Sequence, residues 1–191
     1  YIDIYSRGNQ SKVSGYEIPY NSISIIRYIV SGDRSTSKSK LVLNDLNIIS
    51  NSTKPVLDES SENFQTSIQL MNKNAGGYVA VNSGFGAAVE ANNCVISKSV
   101  IAFNPNINCS LTLNGTKATD CWFNGIYGYK CGDLTVNNSY LKDFGGAAIH
   151  LEDGDSKVKT DANGNILAEY PTSTKVTIDA NSVLENYVSG D

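Results

Sequence analysis

The chain has 191 residues, 40% of them hydrophobic and 18% charged, and a net charge of −4 at pH 7. So much apolar content with so few charges argues against an intrinsically disordered chain and supplies the core of one domain. The sequence has no basic stripe and no apolar run of about 18 residues, which argues against nucleic-acid binding and membrane insertion.

The first 40 residues show no clear repeat, and the N-terminus has neither an initiator Met nor the basic start of a signal peptide. We therefore expect a processed mature chain or a piece of a longer protein, and we favour the piece. Residues 31–40 and 53–65 are polar and indicate loops. An equal interpretation is that they are insertions that decorate a binding face.

A four-residue pattern of apolar, variable, apolar and short polar residues recurs from residue 41 onward. Its copies begin at Leu41, Cys94, Leu111, Leu134 and Val176. The alternation places both apolar residues on one face of a β-strand, and the polar residue can hydrogen-bond the backbone of a turn. Leu111 and Leu134 are 23 residues apart, and Ile126 and Ile149 repeat at the same distance.

This repeat predicts an all-β solenoid that forms a single domain over residues 1–191. A period of about 23 residues that contains several two-residue alternations describes one coil of short strands, not one strand. One coil cannot bury its apolar face alone, so the coils stack and share a core. Inward Leu, Ile and Val residues should form ladders, with a column of short polar residues at one bend.

The segments 109–120 and 132–143, together with Gly145-Gly-Ala-Ala-Ile-His-Leu151, resemble the right-handed parallel β-helix superfamily that includes the pectate lyases. The resemblance implies a right-handed parallel β-helix. Lyases of this superfamily typically hold Ca²⁺ with carboxylates and use an Arg or Lys as base. No Arg follows Arg34, so only Lys130 and Lys142 remain as central substitutes.

Residues 154–174 interrupt the repeat and contain Asn163-Gly164 between alternating flanks. This dipeptide is a strong signal for a two-residue β-turn. We therefore predict a β-hairpin insertion near 154–174 that projects from one coil.

An outward face with rings and carboxylates is the predicted ligand-binding site. His150 follows an inward residue and occupies the slot that Tyr127 has one coil earlier, while Glu152 aligns with Tyr129. Glu90 joins the same column if Val89 aligns with Ile126. The predicted binding residues are Tyr127, Tyr129, His150, Glu152 and Glu90. Rings pack on the apolar faces of sugars and carboxylates bond hydroxyls, which favours glycan binding; the alternative is an ordinary solvated sheet face.

Catalytic candidates are Asp120, Asp143 and His150. The two carboxylates occupy equivalent slots one coil apart, so their Cα atoms should lie about 5 Å apart. Such a pair meets the minimum for glycoside hydrolysis or can hold a cation, although two exposed turn residues explain it equally well. The Asp-Asp and Gly-His-Gly motifs typical of polygalacturonases are missing.

A weaker metal candidate is the acidic cluster of Glu152, Asp153 and Asp155. Its oxygens near a Gly turn suit Ca²⁺, but it lacks the spacing of a known calcium loop, and a solvated acidic turn is the alternative. No other cofactor is expected. The four cysteines are Cys94, Cys109, Cys121 and Cys131. A bridge between stacked coils and four free thiols both remain open, and none of the spacings fits zinc.

The sequence therefore predicts a secreted or cell-surface β-helix module, from a bacterium or its phage, that binds glycans or presents to them in a structural or adhesive role. The alternative is a carbohydrate-active enzyme, either a polysaccharide lyase or a glycoside hydrolase, with its groove on an outer sheet face. An enzyme should gather at least two carboxylates and a Lys, His or Arg around one groove, whereas a binding module needs only rings and amides.

Overall fold

The computed structural model describes residues 2–4, 12–13, 16–17, 24–29, 39–49, 79–84, 86–152, 162–163 and 174–185. Within this part of the chain the secondary structure is β throughout, so no helix long enough to cross a membrane is present there. The strands are β1 (Ile2–Ile4), β2 (Lys12–Val13), β3 (Tyr16–Glu17), β4 (Ser24–Ile29), β5 (Lys40–Asn44), β6 (Asn47–Ile49), β7 (Val79–Gly84), β8 (Ala88–Asn92), β9 (Val95–Ser97), β10 (Ile101–Pro105), β11 (Ser110–Asn114), β12 (Lys117–Cys121), β13 (Asn124–Tyr129), β14 (Leu134–Asn137), β15 (Tyr140–Phe144), β16 (Ile149–Glu152), β17 (Val176–Ile178) and β18 (Val183–Glu185).

Three stacked sheets form most of the part of the chain that the structure describes. Sheet I has the order β1-β4-β7-β10-β13-β16, sheet II has β17-β14-β11-β8-β5, and sheet III has β18-β15-β12-β9-β6. From β5 onward the chain visits sheets II, III and I in turn, and every neighbouring pair in this part is parallel. The short β1 pairs antiparallel with β4, and β2 with β3. The architecture is that of a right-handed parallel β-helix, which confirms the predicted fold class.

The register joins equivalent residues of successive coils. Leu111 pairs with Leu134 as predicted, and Val89 pairs with Leu111 from the coil before. The copy assigned to Cys94 is wrong, because Cys94 directly precedes β9 and that strand belongs to sheet III, where Ile96 pairs with Ala118. Strands of all three sheets share the same two-residue alternation, so the short pattern alone cannot tell one sheet from another.

Ladders of apolar side chains fill the interior of the coils. Three examples, one in each sheet, are Val81–Phe103–Ile126, Val89–Leu111–Leu134 and Ile96–Ala118–Leu141, all buried. Full burial of each larger side chain contributes about 1.5–3 kcal/mol. Because each ladder is shared between coils, the coils stabilise one another.

The bends between sheets rely on residues in the left-handed backbone region, stacked in three columns. The columns are Asp45, Asn93, Gly115 and Asn138 between sheets II and III; Lys98, Asp120 and Asp143 between sheets III and I; and Gly86, Asn108 and Lys130 between sheets I and II. Glycine pays no steric penalty at positive φ, and Asn and Asp tolerate it better than most residues do. The Asn-, Asp- and Gly-rich composition therefore has a direct structural use.

An asparagine ladder runs along the end of sheet II. The amide Nδ2 of Asn92 donates to Oδ1 of Asn44 at 2.8 Å, Asn114 donates to Asn92 at 2.8 Å, and Asn137 donates to Asn114 at 2.9 Å. Asp179 follows in the next coil and accepts the backbone N–H of Asn138 instead. The predicted polar column exists, with Asn92 in the place given to Ser97.

All four cysteines are buried free thiols. Burial raises the pKa of Cys109 and Cys131, and raises the pKa of Cys121 to about 11. A thiol that stays protonated and shielded behaves as a small apolar side chain. The predicted hairpin near 154–174 lies outside the described residues except for 162–163 and 174.

Candidate ligand-binding face

Two rings stack on the outer side of sheet I, in neighbouring coils. Tyr127 of β13 lies beside His150 of β16, as the sequence predicts. Their ring centroids are 5.3 Å apart and their planes are inclined by 23°. Ile126 and Gly128 on either side of Tyr127 are buried, and Ile149 before His150 packs against the core, so the parallel register holds the two rings together on the outside.

Charged groups flank this ring pair. Tyr129 pairs with Glu152 in the register, again as predicted. Nε2 of His150 lies 3.2 Å from Oε1 of Glu152, and Nζ of Lys130 lies 5.7 Å from the ring centroid of Tyr129. The face therefore combines two tyrosine rings and an imidazole with one carboxylate and one ammonium group.

A small apolar cluster supports the face from the bend between sheets III and I. Val79, Val100 and Ile101 are buried there, outside the main core, and Tyr127 packs against them. Trp122 and Phe123, both half-buried, pack against the same cluster. The sequence pattern does not predict these two rings on the face, because they fall on a bend where the two-residue alternation gives no side-chain direction.

Side-chain amides continue the face toward the earlier coils. Asn104 follows Phe103, which pairs with Ile126, so Asn104 lies next to Tyr127 in the same column. Nδ2 of Asn106 donates to Oδ1 of Asn82 at 2.9 Å and to Oδ1 of Asn104 at 2.5 Å. The sequence alone did not identify these amides, although Asn104 and Asn106 have the two-residue spacing of a strand face.

Glu90 does not lie on this face, and the alignment of Val89 with Ile126 is wrong. Val89 pairs with Leu111, so Glu90 lies on the outer side of sheet II beside Thr112. There Glu90 forms an ion pair with Lys40 and accepts a hydrogen bond from Nδ2 of Asn92 at 3.1 Å. Hydrogen bonds from Lys40 and Asn92 lower the pKa of Glu90.

Asp120 and Asp143 stack as predicted, at the bend between sheets III and I. Thr119 pairs with Lys142 and Cys121 with Phe144, which places the two aspartates side by side. Both have a left-handed backbone, with φ of 52° and 61°. His150 is in β16 of sheet I, where its side chain stacks on Tyr127 and lies against Glu152, whereas Asp120 and Asp143 are in β12 and β15 of sheet III.

The proposed calcium cluster is only partly described. Glu152 ends β16 and is exposed, whereas Asp153 and Asp155 lie outside the described residues. Within the described ranges no group of three His, Cys, Asp or Glu side chains is arranged to hold a metal ion.

No protein-family model, curated protein or solved structure matches the chain.

Proposed function

We propose that the outer face of sheet I binds glycans, and that the chain is a secreted or cell-surface module of the pectate-lyase-like β-helix superfamily. The observation that carries this proposal is the stacked pair of Tyr127 and His150 with Tyr129 beside it. A sugar ring presents C–H groups on its faces, and aromatic side chains bind such surfaces.

The polar groups around the rings suit the hydroxyls of a sugar. Amide groups such as that of Asn104 both donate and accept hydrogen bonds. The carboxylate of Glu152 accepts hydrogen bonds and favours a neutral or amino sugar. A uronic acid needs cationic partners instead. Within the described part of this face, Lys130 already lies over Tyr129, and Arg27 lies three coils before Tyr127 in the same column.

The role proposed for this face is adhesive or structural. Rings and amides lie together on sheet I, whereas the stacked aspartates lie on the bend before it. The alternative function, hydrolysis or elimination of a polysaccharide, is favoured only by the adjacent Asp120 and Asp143. It predicts the release of new chain ends from a polysaccharide and the loss of that release in Asp120→Asn and Asp143→Asn.

A glycan array with Tyr127→Ala and Tyr129→Ala tests the proposal. Each lost ring should weaken binding of neutral or amino sugars about fivefold, from about 1 kcal/mol of lost ring contact. Thr135→Ala, on the outer side of sheet II, is the control and should bind normally. Unchanged binding in both tyrosine variants, or binding confined to polyuronates, would contradict the proposal.

A further inference from the structure

A second concave surface lies at the bend between sheets II and III, away from sheet I. A groove of about 450 Å³ crosses four successive coils there. Its lining includes Asn93, Gly115, Lys117, Asn138, Tyr140 and Asn181. Because stacked coils repeat about every 4.8 Å, the groove runs along the axis of the solenoid for more than about 10 Å.

Gly115 opens the middle of this groove. The left-handed column at the bend contains Asn93, Gly115 and Asn138, so one coil lacks the side chain that its neighbours carry. A Cβ atom on Gly115 would lie 2.7 Å from Oδ1 of Asn93, which is too close for a real contact. Glycine at this position therefore permits the positive φ of 59° and lets the side-chain amide of Asn93 lie against the backbone of Gly115.

The groove presents polar groups that the protein itself does not use. Across the described ranges, no hydrogen bond or ion pair engages the side-chain amides of Asn138 and Asn181 or the exposed ammonium group of Lys117. The nearby cation of Lys142 is engaged, because it lies 3.5 Å from Glu185, and Tyr140 and Glu185 raise the pKa of Lys142. Among the described residues along this groove, Lys117 thus carries a positive charge that no acidic side chain engages.

We infer that this groove is a second ligand-binding site, for a saccharide that carries an anionic substituent such as a sulfate or a carboxylate. Lys117 would bond the anionic group, the half-buried ring of Tyr140 would pack on the sugar, and the two amides would bond its hydroxyls. This inference does not depend on the function proposed for sheet I, where Glu152 favours neutral or amino sugars.

Calorimetric titration of the whole chain tests the inference, with three oligosaccharides of equal length that are neutral, sulfated or carboxylated. We expect the chain to bind at least one anionic saccharide more tightly than the neutral one, and the tighter of the two identifies the substituent. Lys117→Gln should weaken that binding about tenfold, as expected for one charge-assisted hydrogen bond, and Lys117→Arg should retain most of it.

Two further variants separate the groove from the rest of the surface. Asn138→Gly keeps the backbone conformation at φ 44° but removes the amide, so it should weaken binding while the protein stays folded. Lys98→Gln removes an exposed lysine at another bend and should have no effect, as should Tyr127→Ala on sheet I. In the Tyr127→Ala variant, which removes the ring pair of sheet I, equal binding of the neutral saccharide would overturn the inference. So would no binding of either anionic saccharide, unchanged affinity in Lys117→Gln, or an equal loss in Lys98→Gln.

Discussion

Truncation of Leu134 to alanine tests the shared core of the coils. Leu134 is 0% exposed and lies between Leu111 in one neighbouring coil and Val176 in the other. The substitution removes three carbon atoms from the core, which costs about 2.4 kcal/mol at about 0.8 kcal/mol for each buried CH₂. The cavity that remains raises the loss of unfolding free energy to about 3–4 kcal/mol.

The surroundings of Leu134 sharpen this expectation. Val176 is 39% exposed, so the cavity can relax from that side, whereas Leu111 has buried neighbours in both adjacent coils, Val89 and Leu134. Leu111→Ala should therefore cost more than Leu134→Ala, because its cavity is enclosed.

Equilibrium unfolding in urea measures both variants, with the free energy taken from the midpoint at an unchanged slope. The control is Thr135→Ala, on the same strand but pointing outward, which should change stability by less than about 0.5 kcal/mol. A cost for Thr135→Ala equal to that of Leu134→Ala, or a cost for Leu134→Ala below about 1 kcal/mol, would refute the assignment of Leu134 to the core.

Other parts of the solenoid give further predictions. Asn137→Ala should lower the free energy of unfolding by about 1 kcal/mol in the same urea assay, because Oδ1 of Asn114 loses its hydrogen-bond donor. A larger loss than that of Leu134→Ala would contradict the placement of Leu134 in the core and Asn137 in the polar column. Hydrogen bonds from Ser182 and the Asn138 backbone lower the pKa of Asp179 in the folded protein. The ionised carboxylate therefore stabilises the fold fully at pH values above its ordinary pKa of 3.8, and this stabilisation is lost as the pH falls through the lowered folded-state pKa. As the pH falls over that acidic range, the melting temperature of the wild type should therefore decrease more than that of Asp179→Asn. Melting temperatures of the two proteins that fall in parallel with pH would disprove the effect. The four cysteines should resist iodoacetamide at pH 8 in the folded protein and react in denaturant, since the pKa of Cys121 is about 11; fast labelling without denaturant would show that the thiols are accessible.

The sequence was sufficient for the fold class and for the strand register of sheet II in its clearest coils. Leu111-Thr-Leu-Asn114 and Leu134-Thr-Val-Asn137 differ at one position and are 23 residues apart, and a ladder joins such equivalent residues of neighbouring coils. The earlier copy was misplaced at Cys94 because the true copy, Val89-Glu-Ala-Asn92, has a small Ala91 where the pattern expects a large residue. That error moved Glu90 to the wrong sheet.

The candidate site was predictable only where the alternation was regular. Tyr127 and His150 lie on strands with inward Ile126 and Ile149, so their outward direction and pairing followed from the repeat. Trp122 instead lies on a bend, where the direction of a side chain depends on left-handed backbone residues that the alternation does not encode. The groove at the other bend was missed for the same reason.

The most direct test of the proposed function is to map where a neutral or amino-sugar oligosaccharide shifts the backbone amide resonances of the labelled chain. The proposal predicts shifts concentrated in residues 124–129 and 149–152, the strands that carry Tyr127, Tyr129 and His150. Shifts confined to sheet II, or no shifts with any neutral or amino sugar at millimolar concentration, would contradict it.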